Sequence, residues 1–366
     1  MPAVSADPRT SHADVTATLE GVHATGATTP AVPAVVETHG LSKRYGDVLA
    51  LDALDLRVPE RTVVGFLGPN GAGKTTAMKL LVGLQRPSAG SARVFGLDVA
   101  SRGPEVRTRV GYLAQDPRFY EHLTPRETLR FVARFFYAGP AAAIERRIDE
   151  LLALVDLSDK ADRPVRGFSG GERQRLGIAQ ASVNDPALLL MDEPAAALDP
   201  AGRQAVLGII ERLRERTTVF FSTHILDDVQ RVADRVAILD RGRLIAHAPT
   251  HELLAGDGVS TFELGMRGDA DAVAEALRGE AWVDAVDVAL NGGRANGAAG
   301  NGAAGNGADA TQTLLHVRVH DAGAAEALLL RRVLAIDGVV VTRFATRRYE
   351  LEEVFLRLVQ GARGQA

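Results

Sequence analysis

The chain's 366 residues are long enough for two domains, and its 46% hydrophobic content supports a sizeable core. A formal net charge of -4 gives no electrostatic case for nucleic acid, and the lack of cysteine excludes disulfides, thiolate zinc sites and cysteine catalysis, which suits the cytosol. No apolar run approaches the ~18–20 residues that span a bilayer, and the start of the chain has no continuous apolar signal core, so any service to a membrane is expected to pass through a partner.

Residues 1–34 are rich in Ala, Thr, Pro and Val without a sustained period and read as a mobile tail. From Val35 the pattern becomes strand-like: Leu54, Leu56 and Val58 alternate with Asp55 and Arg57. Val63–Leu67 is a short apolar strand. It runs into Gly68, Pro69, Asn70, Gly71, Ala72, Gly73, Lys74, Thr75 and Thr76, which fit the pattern G-x-x-x-x-G-K-[ST]. Gly71 and Gly73 can take backbone angles closed to other residues, so backbone N–H groups can converge on an anion. The helix opening near Lys74 adds its positive dipole end. Ala77, Leu81 and Leu84 recur at helical spacing and predict a buried face. Lys74 is placed to reach the β- and γ-phosphates of a nucleotide, and the Thr75 hydroxyl to ligate Mg²⁺. The plainer reading, a glycine-rich turn with a surface lysine, leaves the strand-loop-helix context unexplained.

Between about Asp116 and Arg166 the signal is mostly helical. Leu129, Val132 and Phe136 share one expected face after a cap at Thr124 and Glu127. At Phe168 begins "FSGGERQRLGIAQAS", in which Ser169, Gly170 and Gly171 open a helix carrying Gln174, Ile178 and Ala181 at helical spacing. A second anion-ready helix start beside a single phosphate loop makes sense if it serves another molecule's nucleotide. Ala187–Met191 is a continuous apolar run, the mark of a strand buried on both faces. Asp192 and Glu193 follow at its C-terminal end, where open α/β sheets bind ligands. Asp192 can hold Mg²⁺ through water, and Glu193 can polarise an attacking water. Thr217–Phe221 is a further β-rich run, and the alternation predicts an α/β domain with a largely parallel core sheet.

The character changes near Leu253. Strands at Thr261–Leu264 and Trp282–Leu290 flank a helix from about Asp269. Strands at Leu314–Val319 and Val339–Phe344 flank another from about Ala324, which together predict a small split-βαβ, ferredoxin-like module. Asn291–Ala310, an imperfect NGAAG repeat without bulky residues, reads as a flexible insertion. In "YELEEVFLRLV", Leu351, Val354, Phe355 and Leu358 form one helical face.

Taken in order, these motifs resemble the nucleotide-binding subunits of ABC transporters over Val35–Pro249. The resemblance implies a P-loop NTPase fold at 35–250, with a helical subdomain at about 116–166 and an antiparallel β-subdomain. A C-terminal α+β domain would then occupy 251–366. It implies that Ser169, Gly170 and Gly171 complete the ATP site of a facing subunit, and that Gln115, in "GYLAQDP", contacts Mg²⁺ and senses the membrane partner. It implies that His224, in "FFSTHILDD", contacts the γ-phosphate, that Tyr45, in "LSKRYGDVLALD", stacks on adenine, and that Asp199, in "AALDP", lies at the dimer interface. Two departures stand out. Phe168 and Glu172 replace the usual Leu and Gln at the ends of the signature, and Ala195, Ala196 and Ala197 stand where hydroxyls are frequent. The C-terminal text is similar to the ending of ABC-2 type exporter ATPases, including the drug- and antibiotic-resistance group. The implied protein is an ATP- and Mg²⁺-dependent hydrolase, dimeric and peripheral on the cytoplasmic side of the cell membrane. It would drive export through a separate multi-span permease, with no nucleic-acid partner. A ribosome-binding ATPase of the same superfamily would usually show a second phosphate loop, and a DNA-repair ATPase would need long coiled-coil heptads. An importer ATPase is disfavoured only by the ending.

Overall fold

The computed structural model describes residues 33–255, 260–290, 313–347 and 351–364. The expected tail lies outside the described residues except at 33–34, and the expected insertion at 291–310 lies wholly outside them.

Strand β1 (Ala34–Tyr45) turns back through Gly46, whose φ is 55°, into β2 (Val48–Leu54), with Tyr45 opposite Val48. Short β3 (Arg57–Pro59) also pairs with β1. Strand β4 (Val63–Leu67) is buried at every position and feeds helix α1 (Lys74–Leu81). Strands β5 (Ala89–Val94) and β6 (Leu97–Asp98) complete an antiparallel sheet in the order β2-β1-β5-β6. Helix α1 is shorter than its apolar spacing predicts. Gly83 takes φ 67°, the chain leaves the helix, and Leu84 is 56% exposed, so the buried face keeps only Ala77 and Leu81 of the expected three.

Helix α2 (Val99–Arg109) leads to β7 (Val110–Leu113). A helical layer follows, comprising α3 (Pro125–Ala133), α4 (Ala141–Leu154) and α5 (Gly170–Ala181). The expected cap of α3 is present as a full capping box between Thr124 and Glu127. The helix stops at Ala133, however, so Phe136 falls beyond it and is 43% exposed. Arg130 grips Glu145 of α4 with two hydrogen bonds, at 2.5 and 2.9 Å, and fixes the two helices side by side.

Strand β8 (Leu188–Met191), helix α6 (Pro200–Leu213), strand β9 (Thr218–Thr223), helix α7 (Leu226–Val232), and strands β10 (Arg235–Asp240) and β11 (Arg243–Pro249) finish the second sheet. Its order is β11-β10-β4-β9-β8-β7, parallel throughout except for β11. The continuous apolar runs in β4, β8 and β9 are explained by burial on both faces, as parallel strands require. Phe66 and Phe220 meet across β4 and β9 at 5.1 Å between ring centroids. Because β4, β8 and β9 are parallel neighbours, their C-terminal ends gather Gly68, Asp192 and His224 on one edge of the sheet.

After α8 (Thr250–Ala255) come β12 (Ser260–Arg267), α9 (Ala270–Arg278), β13 (Val283–Leu290), β14 (Thr313–Val319), α10 (Ala322–Leu334) and β15 (Val340–Arg347). The strands form an antiparallel sheet ordered β13-β14-β12-β15, the split arrangement of two β-α-β units. Its core joins Phe262, Leu264, Leu315 and Val317 to Val273 and Leu277 of α9 and Leu329 and Val333 of α10. The chain then ends in α11 (Leu351–Gly364).

The described residues divide into two compact units. One holds 33–251 and 351–364, and the other 252–347. Helix α11 therefore groups with the nucleotide-binding unit, whereas its place in the chain assigns it to the C-terminal domain. It packs on α7 and β11, with Leu351 fully buried and Val359 6% exposed.

Candidate active site

The loop between β4 and α1 is shaped by steric demands that its glycines meet. A Cβ on Gly68 would lie 2.4 Å from the Leu239 carbonyl oxygen, and one on Gly73 would lie 2.4 Å from that of Ala50. Gly71 and Gly73 take φ of 81° and 107°. Helix α1 starts immediately afterwards with no side-chain cap, so the first-turn N–H groups are left to an external anion. Thr75 and Thr76 lie half-buried in that turn, Ala72 is buried, and Pro69 and Asn70 are exposed at the rim.

Lys74 is 5% exposed, and its ammonium donates to the carbonyls of Gly68, at 2.6 Å, and Pro69, at 3.1 Å. It also lies 3.1 Å from Glu193 Oε1. The other oxygen of that carboxylate, Oε2, is 2.7 Å from His224 Nδ1. Glu193 thus bridges the phosphate-loop lysine and the histidine at the end of β9. It does so from a left-handed backbone, φ 51°, which costs a non-glycine residue about 1–2 kcal/mol. Asp192 is fully buried, and its Oδ1 accepts a hydrogen bond from Ser222 Oγ at 2.7 Å. The same Ser222 oxygen accepts the Glu193 backbone N–H at 2.8 Å. Ser222 was not singled out by sequence reasoning. Its signal is a polar residue at the end of the apolar stretch of β9, two positions before His224.

These oxygens suit Mg²⁺. Asp192 Oδ2 is buried without a hydrogen-bond partner, and the Thr75 hydroxyl is a second hard oxygen in the loop's first helical turn. Among the described residues, no group of three or more His, Cys, Asp or Glu could hold a metal by itself. The buried negative charge also reaches Tyr112 on β7, whose phenol is pushed up to about 12 by burial and by Asp192.

The remaining predicted residues fall into other groups. Ser169 caps α5 in a capping box with Glu172, and Gly171 lies against Gly202, a Cβ on Gly171 being 3.8 Å from the Gly202 Cα. Asp199 caps α6 by accepting from the Gly202 N–H at 3.2 Å, so the signature and the AALDP segment share one edge. Among the described residues, no hydrogen bond joins Ser169, Gly170 or Gly171 to the phosphate loop of the same chain. Glu172, the unusual signature residue, lies 2.5 Å from Lys160 Nζ. Burial opposes its ionisation, but the Lys160 ammonium and the Ser169 N–H together hold the carboxyl below its usual range. Gln115 lies exposed just after β7. Tyr45 is 43% exposed at the end of β1, with its hydroxyl bonded to the Gln85 side chain and the Lys43 ammonium 5.2 Å from its ring centroid.

A glycine-lined anion loop at the end of a central parallel strand, an Asp-Glu pair ending a second and a histidine ending a third define a P-loop ATPase of the ATP-binding-cassette type. Comparison with known proteins sharpens the class. The ABC transporter family model matches residues 51–196. A daunorubicin resistance ATP-binding protein of Streptomyces coeruleorubidus is 37% identical over 88% of this chain and 95% of its own. A Nod factor export ATP-binding protein of Cupriavidus pinatubonensis is 38% identical over 62% of this chain and 69% of its own. The solved ATP-binding subunit of an ABC transporter superposes with a TM-score of 0.54 at 31% identity, covering 60% of this chain and 91% of that one. The chain belongs to the ABC transporter family as an ATP-binding subunit of the ABC-2 exporter type. It binds and hydrolyses ATP to drive export.

Proposed function

We propose that Glu193 is the general base and that the assembled edge of β4, β8 and β9 is the hydrolytic half of a site shared by two subunits. The observation that carries this reading is Glu193 held between Lys74 and His224. When a triphosphate enters, the Lys74 ammonium exchanges the loop carbonyls and Glu193 for phosphate oxygens. The freed carboxylate stays fixed by His224 and accepts a proton from the water that attacks the γ-phosphorus. His224, at the end of β9, would also donate to an oxygen of the γ-phosphate. Bound Mg²⁺, which Asp192, Thr75 and Gln115 would hold, neutralises charge on the β- and γ-phosphates.

The second half of the site comes from the facing subunit. In the capping box Ser169 Oγ accepts the Glu172 N–H, at 3.3 Å, so its own O–H stays available to donate to a phosphate across the interface. Gly170 and Gly171 add N–H groups, Asp199 lines the contact, and the open Tyr45 ring stacks on adenine. No helix among the described residues is long and apolar enough to cross a membrane. In this reading cargo passes through a separate permease. The subunit works from the cytoplasmic face. Docking falls to a groove of about 460 Å³ lined by residues that include Tyr112, Asp116, Val132 and Phe136. Beside it, Tyr120 is 60% exposed and meets Phe131 edge-on at 6.0 Å. By likeness to the daunorubicin resistance relative, the cargo is a small antibiotic-like compound. The test is Glu193→Gln. It should bind ATP as the wild type does, stop hydrolysing it and accumulate as an ATP-bound dimer on size exclusion. Hydrolysis at the wild-type rate would sink the assignment.

A further inference from the structure

We infer that Ser222 is a positioning residue that sets the metal-binding acid and the general base through one hydroxyl. The inference rests on the roles proposed for Asp192 and Glu193. Ser222 lies in β9 beside the end of β8, where the register pairs Leu190 with Phe220 and Met191 with Phe221. One step further along, the side chain of Ser222 meets the Asp-Glu pair. It is fully buried, so no water competes for its oxygen.

The hydroxyl has one hydrogen and two lone pairs, and the site uses both functions. The hydrogen goes to Asp192 Oδ1 at 2.7 Å, which fixes the carboxylate plane and turns Oδ2 away as the oxygen without a protein partner. A lone pair takes the Glu193 N–H at 2.8 Å. That bond anchors the backbone where it is strained, at φ 51°, and the strain is what carries the Glu193 side chain towards Lys74 and His224. An extended Glu193 would continue the strand direction of β8 and lose that aim. One buried oxygen therefore couples the orientation of the two acids, which no other side chain among the described residues does through a hydrogen bond.

The experiment compares Ser222→Ala and Ser222→Thr with the full-length wild type, using the non-hydrolysable analogue AMP-PNP and Mn²⁺ read by electron paramagnetic resonance, alongside steady-state ATPase rates. S222A should bind Mn²⁺ in the AMP-PNP complex about fivefold more weakly, as expected for one lost buried hydrogen bond. Its kcat should fall by about tenfold, from a misplaced base, while KM for ATP stays near the wild-type value because the phosphate loop is untouched. S222T, which keeps the hydroxyl, should restore both. A folded S222A with wild-type Mn²⁺ affinity and kcat overturns the inference, as does an S222T that behaves like S222A. If S222A does not fold, S222C carries the comparison, since it keeps the volume and weakens the donor. Asp192→Asn and Glu193→Gln run in parallel to separate the levels. Wild-type Mn²⁺ affinity in D192N removes the role given to Asp192, whereas loss in D192N with none in S222A removes only that of Ser222.

Discussion

Lys74 and Glu193 are 5% and 7% exposed and 3.1 Å apart, a buried ion pair. Removing one partner of such a pair strands the second, at a cost of about 3–5 kcal/mol. Lys74→Ala should therefore do two things. It should lose useful ATP binding, because the cation facing the phosphates is gone, and it should lower the urea midpoint, because Glu193 keeps only His224. Adding Glu193→Gln to that variant should recover part of the stability but none of the ATP binding. A double variant no more stable than Lys74→Ala would show that the pair carries no such energy. Lys74, Asp192 and Glu193 were legible in the sequence because each sits at a fixed offset from a strand end, whereas His224 was marked only by the family resemblance. The positive φ of Glu193 and the two hydrogen bonds of the Ser222 hydroxyl were not legible, since both depend on β8 and β9 lying side by side, which spacing within one strand does not encode.

Strands and helix starts were readable from local chemistry, as the Thr124–Glu127 cap and the apolar run of β8 show. Helix ends were less so. Leu84 and Phe136 continue an apolar period after the backbone has already left the helix, because φ at Gly83 and the stop at Ala133 outweigh the pattern. Glu172 at the start of α5 is a sharper case. From sequence it is an extra negative charge beside an anion site. In the fold it closes the capping box and pairs with Lys160, twelve residues upstream. The pair leaves the N-terminus of α5 close to neutral and therefore still able to receive a phosphate. Lys160→Met should uncover that charge and raise the ATP concentration for half-maximal dimerisation by about threefold, the scale of a helix-end charge effect. Glu172→Gln on the same background should reverse the change, because the amide oxygen can still accept the Ser169 N–H. Analytical ultracentrifugation against ATP concentration measures both. A double variant as weak as Lys160→Met would mean that the pair only holds Lys160 in place.

At the scale of the molecule, alternation of apolar strands and helices made a largely parallel sheet and a split-βαβ sheet legible, whereas the strand order of the parallel sheet was not, since β4 pairs with β9 and β10 from far along the chain. The return of α11 to the nucleotide-binding unit was not legible. An amphipathic face at Leu351, Val354, Phe355 and Leu358 states that a helix is covered but not by what. Its placement has a consequence for the site: Phe355 helps line a cavity of about 310 Å³ together with Leu67, Gly68, Pro69, Asn70, His224 and Leu226. Leu351 and Val359, 0% and 6% exposed, bury apolar surface worth about 1.5–3 kcal/mol each. Deleting 351–366 should therefore destabilise the nucleotide-binding unit by several kcal/mol and leave the C-terminal sheet intact. The chain offers a way to see the two separately, because its single tryptophan, Trp282, is 7% exposed in the core of that sheet. In urea, the tryptophan-fluorescence transition of the truncated chain should coincide with that of the full chain. Its ATP-binding transition, followed with a fluorescent nucleotide, should move to lower urea. The opposite pattern, a shifted Trp282 transition with nucleotide binding unmoved, would assign α11 to the C-terminal sheet and leave Phe355 without a part in shaping the wall beside His224.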